Sequence, residues 1–205
     1  MSVTLCIAGV DEVGRGAWFG PVVAAAVLLT FAQQQQLRLL GVRDSKQLSP
    51  QRRSDLAQEI HAIALSVQIA YATPRTIDRL NILQASLQTM SRAVNRLQPT
   101  PEHCLVDGSH QLPNLTCSQE TLVKGDQQSI AIAAASIVAK VWRDTLIVRL
   151  SPHYPAYDLV NNKGYGTPKH RIALFEHGPT PLHRLSFRPC RLAQSTVGRP
   201  SVGRM

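Results

Sequence analysis

The chain has 205 residues, 44% of them hydrophobic, which is enough for one domain with a substantial core. Its 22 Lys and Arg against 13 Asp and Glu give a formal charge of +9, a balance that favours a polyanionic partner, nucleic acid first. No apolar run approaches the roughly 20 residues of a bilayer-spanning helix. Cys6, Cys104, Cys117 and Cys190 are too scattered for a zinc ribbon or a disulfide framework. A cytoplasmic protein with reduced thiols and no membrane partner is therefore expected.

Residues 4–10 are short, apolar and partly β-branched, which predicts a strand, and Asp11 and Glu12 follow it into the turn Gly14-Arg15-Gly16. Side chains alternate along a strand, so two adjacent acids that share a site imply that the strand ends there. Read alone, this stretch fits equally a strand-ending acid before an ordinary glycine turn. Val22 to Leu29 is a continuous apolar run, expected as a buried strand in a hairpin with the first. Residues 32–41 are a possible helix, and Ser49-Pro50 caps another that extends to about Ala64.

A strand is expected from Ser66 to Tyr71, then one long helix or a broken pair between Pro74 and Leu97. His103 to Gly108 is a further strand finishing on Asp107, and Thr121 to Asp126 a third that brings an acid to its end. Ser129 to Leu150 is an Ala-rich helix suited to close packing on a sheet, and Thr167-Pro168 opens a helix to about His177. Residues 178–189 show no periodicity. Residues 1–189 are read as one domain and 190–205 as a disordered basic tail. The alternation of strands and helices, opening with a hairpin, predicts an α/β sheet of mixed sense.

Asp11, Glu12, Asp107 and Asp126 thus all fall at predicted strand ends. Carboxylates gathered at one place repel one another unless hard cations lie between them, and oxygen ligands without Cys or His select Mg²⁺ or Mn²⁺. A pair of such ions suits in-line attack on a phosphodiester. A basic protein with an acidic metal centre reads as a nuclease. The competing reading is a basic nucleic-acid-binding domain whose acids are structural and which cuts nothing.

The sequence resembles the ribonuclease HII (type 2 ribonuclease H) family over nearly its whole length. The resemblance is carried by Asp11 to Gly16 with Gly20-Pro21-Val22-Val23, Asp44 to Ser49, Val106-Asp107-Gly108, Lys124-Gly125-Asp126, Ala134 to Val141 with Arg143-Asp144, and Gly164-Tyr165-Gly166-Thr167 with His170. It implies a ribonuclease H-like fold, with a mixed five-stranded sheet, flanking helices and a C-terminal helical portion. It implies metal-dependent cutting of RNA in RNA/DNA hybrids and incision at single ribonucleotides embedded in duplex DNA, leaving 3′-hydroxyl and 5′-phosphate ends.

By the same resemblance, Asp11, Glu12 and Asp107 match metal ligands and Asp126 the fourth active-site acid. Gly14, Arg15 and Gly16 match the reader of the 2′-hydroxyl, a group that both donates and accepts, and Tyr165 matches a tyrosine that packs on the neighbouring sugar. Ser45 and Lys46 are phosphate-contact candidates, with Lys124, Lys163 and Lys169 behind them. Asp144 is the rival to Asp126 for the fourth acid, but Arg143 and Asp144 are read as a structural ion pair or cap, Ser136 and Lys140 as mostly structural with Lys140 as a candidate to neutralise the acidic centre, and His170 and His183 as core or surface histidines with a proton shuttle or product release as the alternative. Ala17-Trp18-Phe19 is more aromatic than the family's usual turn. A monomer is expected, with a replication clamp as a candidate partner. Another nuclease of the same fold, such as a junction resolvase, is the alternative enzyme.

Overall fold

The computed structural model describes residues 6–197, with side chains through residue 194. Cys6–Val13 (β1) and Val22–Thr30 (β2) form the expected antiparallel hairpin, in register from Cys6 opposite Thr30 to Val13 opposite Val23. β1 passes through both acids instead of stopping at Val10, because β2 goes on pairing with Asp11 and Glu12 through Ala25 and Ala24. Thr30 caps α1 (Phe31–Leu39), and Ser49 caps α2 (Pro50–Ile63) by accepting the Arg52 N–H. β3 (Ser66–Ala72) pairs antiparallel with β2.

Between Pro74 and Val94 the expected broken pair is found, α3 (Pro74–Leu80) and α4 (Ile82–Val94). The break is at Asn81, whose positive φ of 68° ends one helix while its Oδ1 accepts the Gln84 N–H to start the next. β4 (His103–Asp107) and β5 (Ser118–Leu122) then add parallel to the other side of β1, giving the order β3-β2-β1-β4-β5.

The strand expected over Thr121–Asp126 is shifted: β5 stops at Leu122. Lys124 turns left-handed with φ 57°, and Asp126 lies in a 3-10 turn, Gly125–Gln127, that leads into α5 (Ile130–Leu150).

Successive β2 residues serve opposite faces, as strand period requires. Ala25, Val27 and Leu29 pack with Leu37, Leu56, Ile60 and the Ala-rich face of α5, while Ala24, Ala26 and Leu28 pack with Leu87 and Met90 of α4. Gly9 permits this layering: a Cβ there would stand 2.1 Å from the Ala131 carbonyl carbon, so α5 crosses directly on the β1 backbone.

α6 (Leu159–Asn162), α7 (Pro168–His177) and α8 (Arg188–Val197) gather with Phe19 and Ile147 around a third apolar cluster. A disordered tail from residue 190 is thereby corrected for residues up to Val197. α8 buries Cys190 and Ala193 against this cluster, and the remainder of the expected tail lies outside the described residues. Among the described residues no helix is long and apolar enough to cross a membrane.

Candidate active site

Parallel pairing of β1 and β4 ends with Val10 opposite Val106, so the next residues, Asp11 and Asp107, lie side by side at the same end of the sheet, each still paired on its other side with Ala25 and Leu122. The 3-10 turn delivers Asp126 to that end, and the Gly125 N–H donates to Asp107 Oδ1 at 2.7 Å, tying the turn to the end of β4. These three acids and Glu12 line one cavity of about 400 Å³ with Val13, Ser45, Lys46, Arg53, Ser136, Lys140 and Tyr165. Gly14, Arg15 and Gly16 are outside its lining. They adjoin it through Arg15, whose guanidinium donates to Glu12 Oε1 at 3.2 Å.

Burial, then repulsion from Glu12 and Asp107, raises the Asp11 carboxyl well above the ordinary range, although the Ser136 hydroxyl works against this. Burial also raises Glu12 against the pull of Arg15, and raises Asp126 against the pull of Lys46, whose Nζ stands 3.6 Å from Asp126 Oδ2. Among the described residues no three Asp, Glu, His or Cys side chains converge closely enough to enclose an ion.

The Ser45–Gln47 turn is held by Asp44 of the same motif and by Arg53, which the sequence did not single out. Asp44, 6% exposed, accepts the Lys46 N–H at 2.9 Å, and Arg53 Nη1 donates to the Ser45 and Leu48 carbonyls at 2.8 and 2.6 Å. Ser45 Oγ lies 3.1 Å from Ser136 Oγ, joining this turn to α5. Lys46 itself is 83% exposed, with its ammonium beside Asp126.

A second group of residues holds the glycine turn. Arg143, fully buried, donates to Pro21 O at 3.0 Å, Phe19 O at 3.0 Å and Lys163 O at 2.9 Å. Of the expected ion pair or cap, no ion pair forms between Arg143 and Asp144: Asp144 binds Lys140 at 3.0 Å one helical turn back, and Arg143 faces inward onto carbonyls. Neighbours in a helix point in different directions, which separates the two charges.

Gly14, at φ 90°, is a glycine because a Cβ there would stand 2.2 Å from Arg143 Nε. Gly16 differs: its φ is not positive, it is exposed, and a Cβ there would meet nothing within 4 Å. Folding therefore makes no demand for glycine at this position.

Trp18 and Phe19 donate their N–H groups to Gly164 O, and a Cβ on Gly166 would stand 2.0 Å from the Trp18 ring. The aromatic residues of the turn are thus what the Gly164-Tyr165-Gly166 loop packs on. The Tyr165 ring lies 5.4 Å from the Arg143 guanidinium and 5.7 Å from Lys140 Nζ.

His170 and His183 are buried core histidines outside the acidic cavity, with ring nitrogens 3.0 Å apart. His183 Nδ1 accepts the Thr180 N–H, so His183 Nε2 donates to His170 Nε2, and His170 Nδ1 donates to Tyr165 O at 2.9 Å. Both rings are neutral in this chain of bonds. Lys124 and Lys169 are exposed, and Lys163 donates to Val160 O.

A mixed five-stranded sheet with acids side by side near the ends of its adjacent parallel strands is the architecture of a ribonuclease H-like nuclease. Ribonuclease H2 from Pyrococcus horikoshii OT3 superposes with a TM-score of 0.84 at 26% identity, covering 95% of this chain and 100% of that one. A chain of the PCNA:RNase HII complex from Archaeoglobus fulgidus superposes with a TM-score of 0.73 at 28% identity, over 96% and 98% of the two chains. The Ribonuclease HII family profile matches residues 8–190. Ribonuclease HII of Acaryochloris marina is 60% identical over 185 residues, 90% of this chain and 93% of the relative. The chain belongs to the ribonuclease HII family, and its activity is that of a ribonuclease H endonuclease acting on nucleic acid.

Proposed function

We propose that the protein hydrolyses the RNA strand of RNA/DNA hybrids and incises duplex DNA at single embedded ribonucleotides, leaving 3′-hydroxyl and 5′-phosphate ends. The observation that carries this reading is the meeting of Asp11, Glu12, Asp107 and Asp126 in one cavity beside a turn whose Gly16 backbone is open to a ligand.

The acids are the site for Mn²⁺ or Mg²⁺. The donor chemistry fits: every carboxylate oxygen is a hard ligand, and the burial and repulsion that raise Asp11 above its ordinary range are what a bound cation would offset. A bound ion pair supplies activation of water and stabilisation of the leaving oxygen in an in-line displacement.

The chain's own residues bind and orient. Lys46 and Ser45 receive a backbone phosphate beside the acids, where a point charge and a hydroxyl position a duplex without reading bases. The Gly14-Arg15-Gly16 backbone meets the 2′-hydroxyl, which distinguishes RNA from DNA. Tyr165, with Arg143 and Lys140 beside its ring, packs on the adjoining sugar. The protein works as a cytoplasmic monomer, and a replication clamp is a partner, a reading supported by the clamp complex of the Archaeoglobus relative.

The test is incubation with a DNA duplex carrying one ribonucleotide, with Mn²⁺ or Mg²⁺, beside the all-DNA duplex. Cutting confined to the ribonucleotide-containing duplex and dependent on metal is expected. Equal cutting of both duplexes, or cutting without metal, would sink the reading.

A further inference from the structure

Arg184 is fully buried, and among the described residues no carboxylate pairs with its guanidinium. Its Nη1 donates to Arg15 O at 2.8 Å, its Nε to Gly20 O at 3.1 Å, and its own N–H to Trp18 O at 2.8 Å. The segment behind it is fastened to α3, where the Asp78 carboxylate accepts the Leu185 and Ser186 N–H groups at 3.0 and 2.9 Å. Burial of an arginine without an acid is costly, and burial together with nearby Arg143 draws Arg184 down to a pKa of about 9. The fork thus ties Arg15 O, within the glycine turn, to Gly20 O beyond it, and its Nη2 is buried with no hydrogen-bond partner.

The consequence comes from peptide geometry. Arg15 C=O and Gly16 N–H belong to one rigid trans peptide unit and point in opposite directions. Holding the carbonyl inward against Arg184 turns the N–H outward. Gly16 N–H donates to no acceptor among the described residues, and the space above Gly16 is open. We propose that Arg184 is a specificity-determining positioning residue: by fixing the Arg15 carbonyl inward it aims the Gly16 N–H at the 2′-hydroxyl of the substrate. This rests on the proposed role of the glycine turn. Lysine at 184 keeps the charge but has no planar fork, so it cannot hold Arg15 O and Gly20 O together.

The experiment compares Arg184→Lys with the parent in an Asp107→Asn background, measuring affinity for a duplex with one ribonucleotide and for the same duplex in DNA alone. The ratio of the two affinities is expected to fall up to about tenfold, the upper end for one neutral hydrogen bond. Tyr157→Phe, which removes the buried bond from Tyr157 Oη to Gly178 O in the same C-terminal portion, should leave the ratio unchanged. A folded Arg184→Lys protein with the parental ratio overturns the proposal.

If that variant does not fold, the Gly16 amide resonance of the parent decides. It should shift on adding the ribonucleotide duplex and not the DNA duplex, and equal shifts with both overturn the proposal. A parent that prefers neither duplex instead refutes the function proposed above, so the two failures are distinct.

Discussion

Asp11 and Asp107 sit on adjacent parallel strands one residue beyond their last mutual paired step, Val10 opposite Val106. Parallel pairing aligns strand ends of the same sense, so both acids lie at one end, where an antiparallel partner would have sent the second to the far side. Burial raises Asp11 most, then repulsion from Glu12, and this alignment adds repulsion from Asp107.

Replacing Asp107 with Asn tests the charge while keeping the shape. Asn retains an oxygen for the Gly125 N–H, so folding should be little affected. Cleavage should fall on the order of 100-fold or more, the scale of losing one charge-stabilising group in an active site. Binding of the ribonucleotide duplex should persist. Single-turnover cleavage and gel-shift titration read the two effects separately, and unchanged cleavage would move the centre elsewhere.

Gly9 and Gly16 should respond to alanine in opposite ways. At Gly9 the added Cβ collides with the α5 backbone, where nothing flexible can yield, and the cost should be about 3 kcal/mol or more. At Gly16 the Cβ meets nothing, so stability should stay within about 0.5 kcal/mol while preference for the ribonucleotide duplex drops. Urea denaturation and paired binding assays check both; a destabilised Gly16→Ala would show a structural demand that the turn geometry lacks.

Lys46→Met removes an exposed cation, so the melting temperature should not move. Duplex affinity should weaken for every sequence, and the slope of log affinity against log salt should flatten by about 1, the release of one counterion. An unaltered salt slope would remove Lys46 from the phosphate path.

His183 carries a pH dependence of stability. Burial, reinforced by His170, draws its pKa down to about 3 from an ordinary 6.5, so the folded chain stays neutral where the unfolded chain takes up a proton. Its stabilising contribution is complete above pH 6.5 and is lost as pH falls from there towards 3. Raised carboxyls such as Asp11 act in the opposite direction at low pH, so the measurement is the difference between the parent and His183→Gln. That difference should narrow by about 1.4 kcal/mol per pH unit below pH 6. A difference constant with pH would mean that the histidine pair is protonated in the folded protein.

Local pattern was enough for much of the molecule. The apolar runs predict β2 and β4, Ser49-Pro50 and Thr167-Pro168 predict the starts of α2 and α7, and the acids at strand ends predict that Asp11 and Asp107 meet. Hydrophobic period and capping chemistry act over a few neighbouring residues, so they are written in the sequence itself.

Tertiary structure decided the rest. Asp126 reaches the site from a 3-10 turn because Lys124 turns left-handed, and Asp144 is occupied by Lys140. α8 forms where composition suggested disorder, because Cys190 and Ala193 find the cluster around Phe19. Arg143 and Arg184 gave no local sign of their role. Their partners are backbone carbonyls far away in the chain, which every residue type offers equally, and only the folded backbone shows which carbonyls they hold.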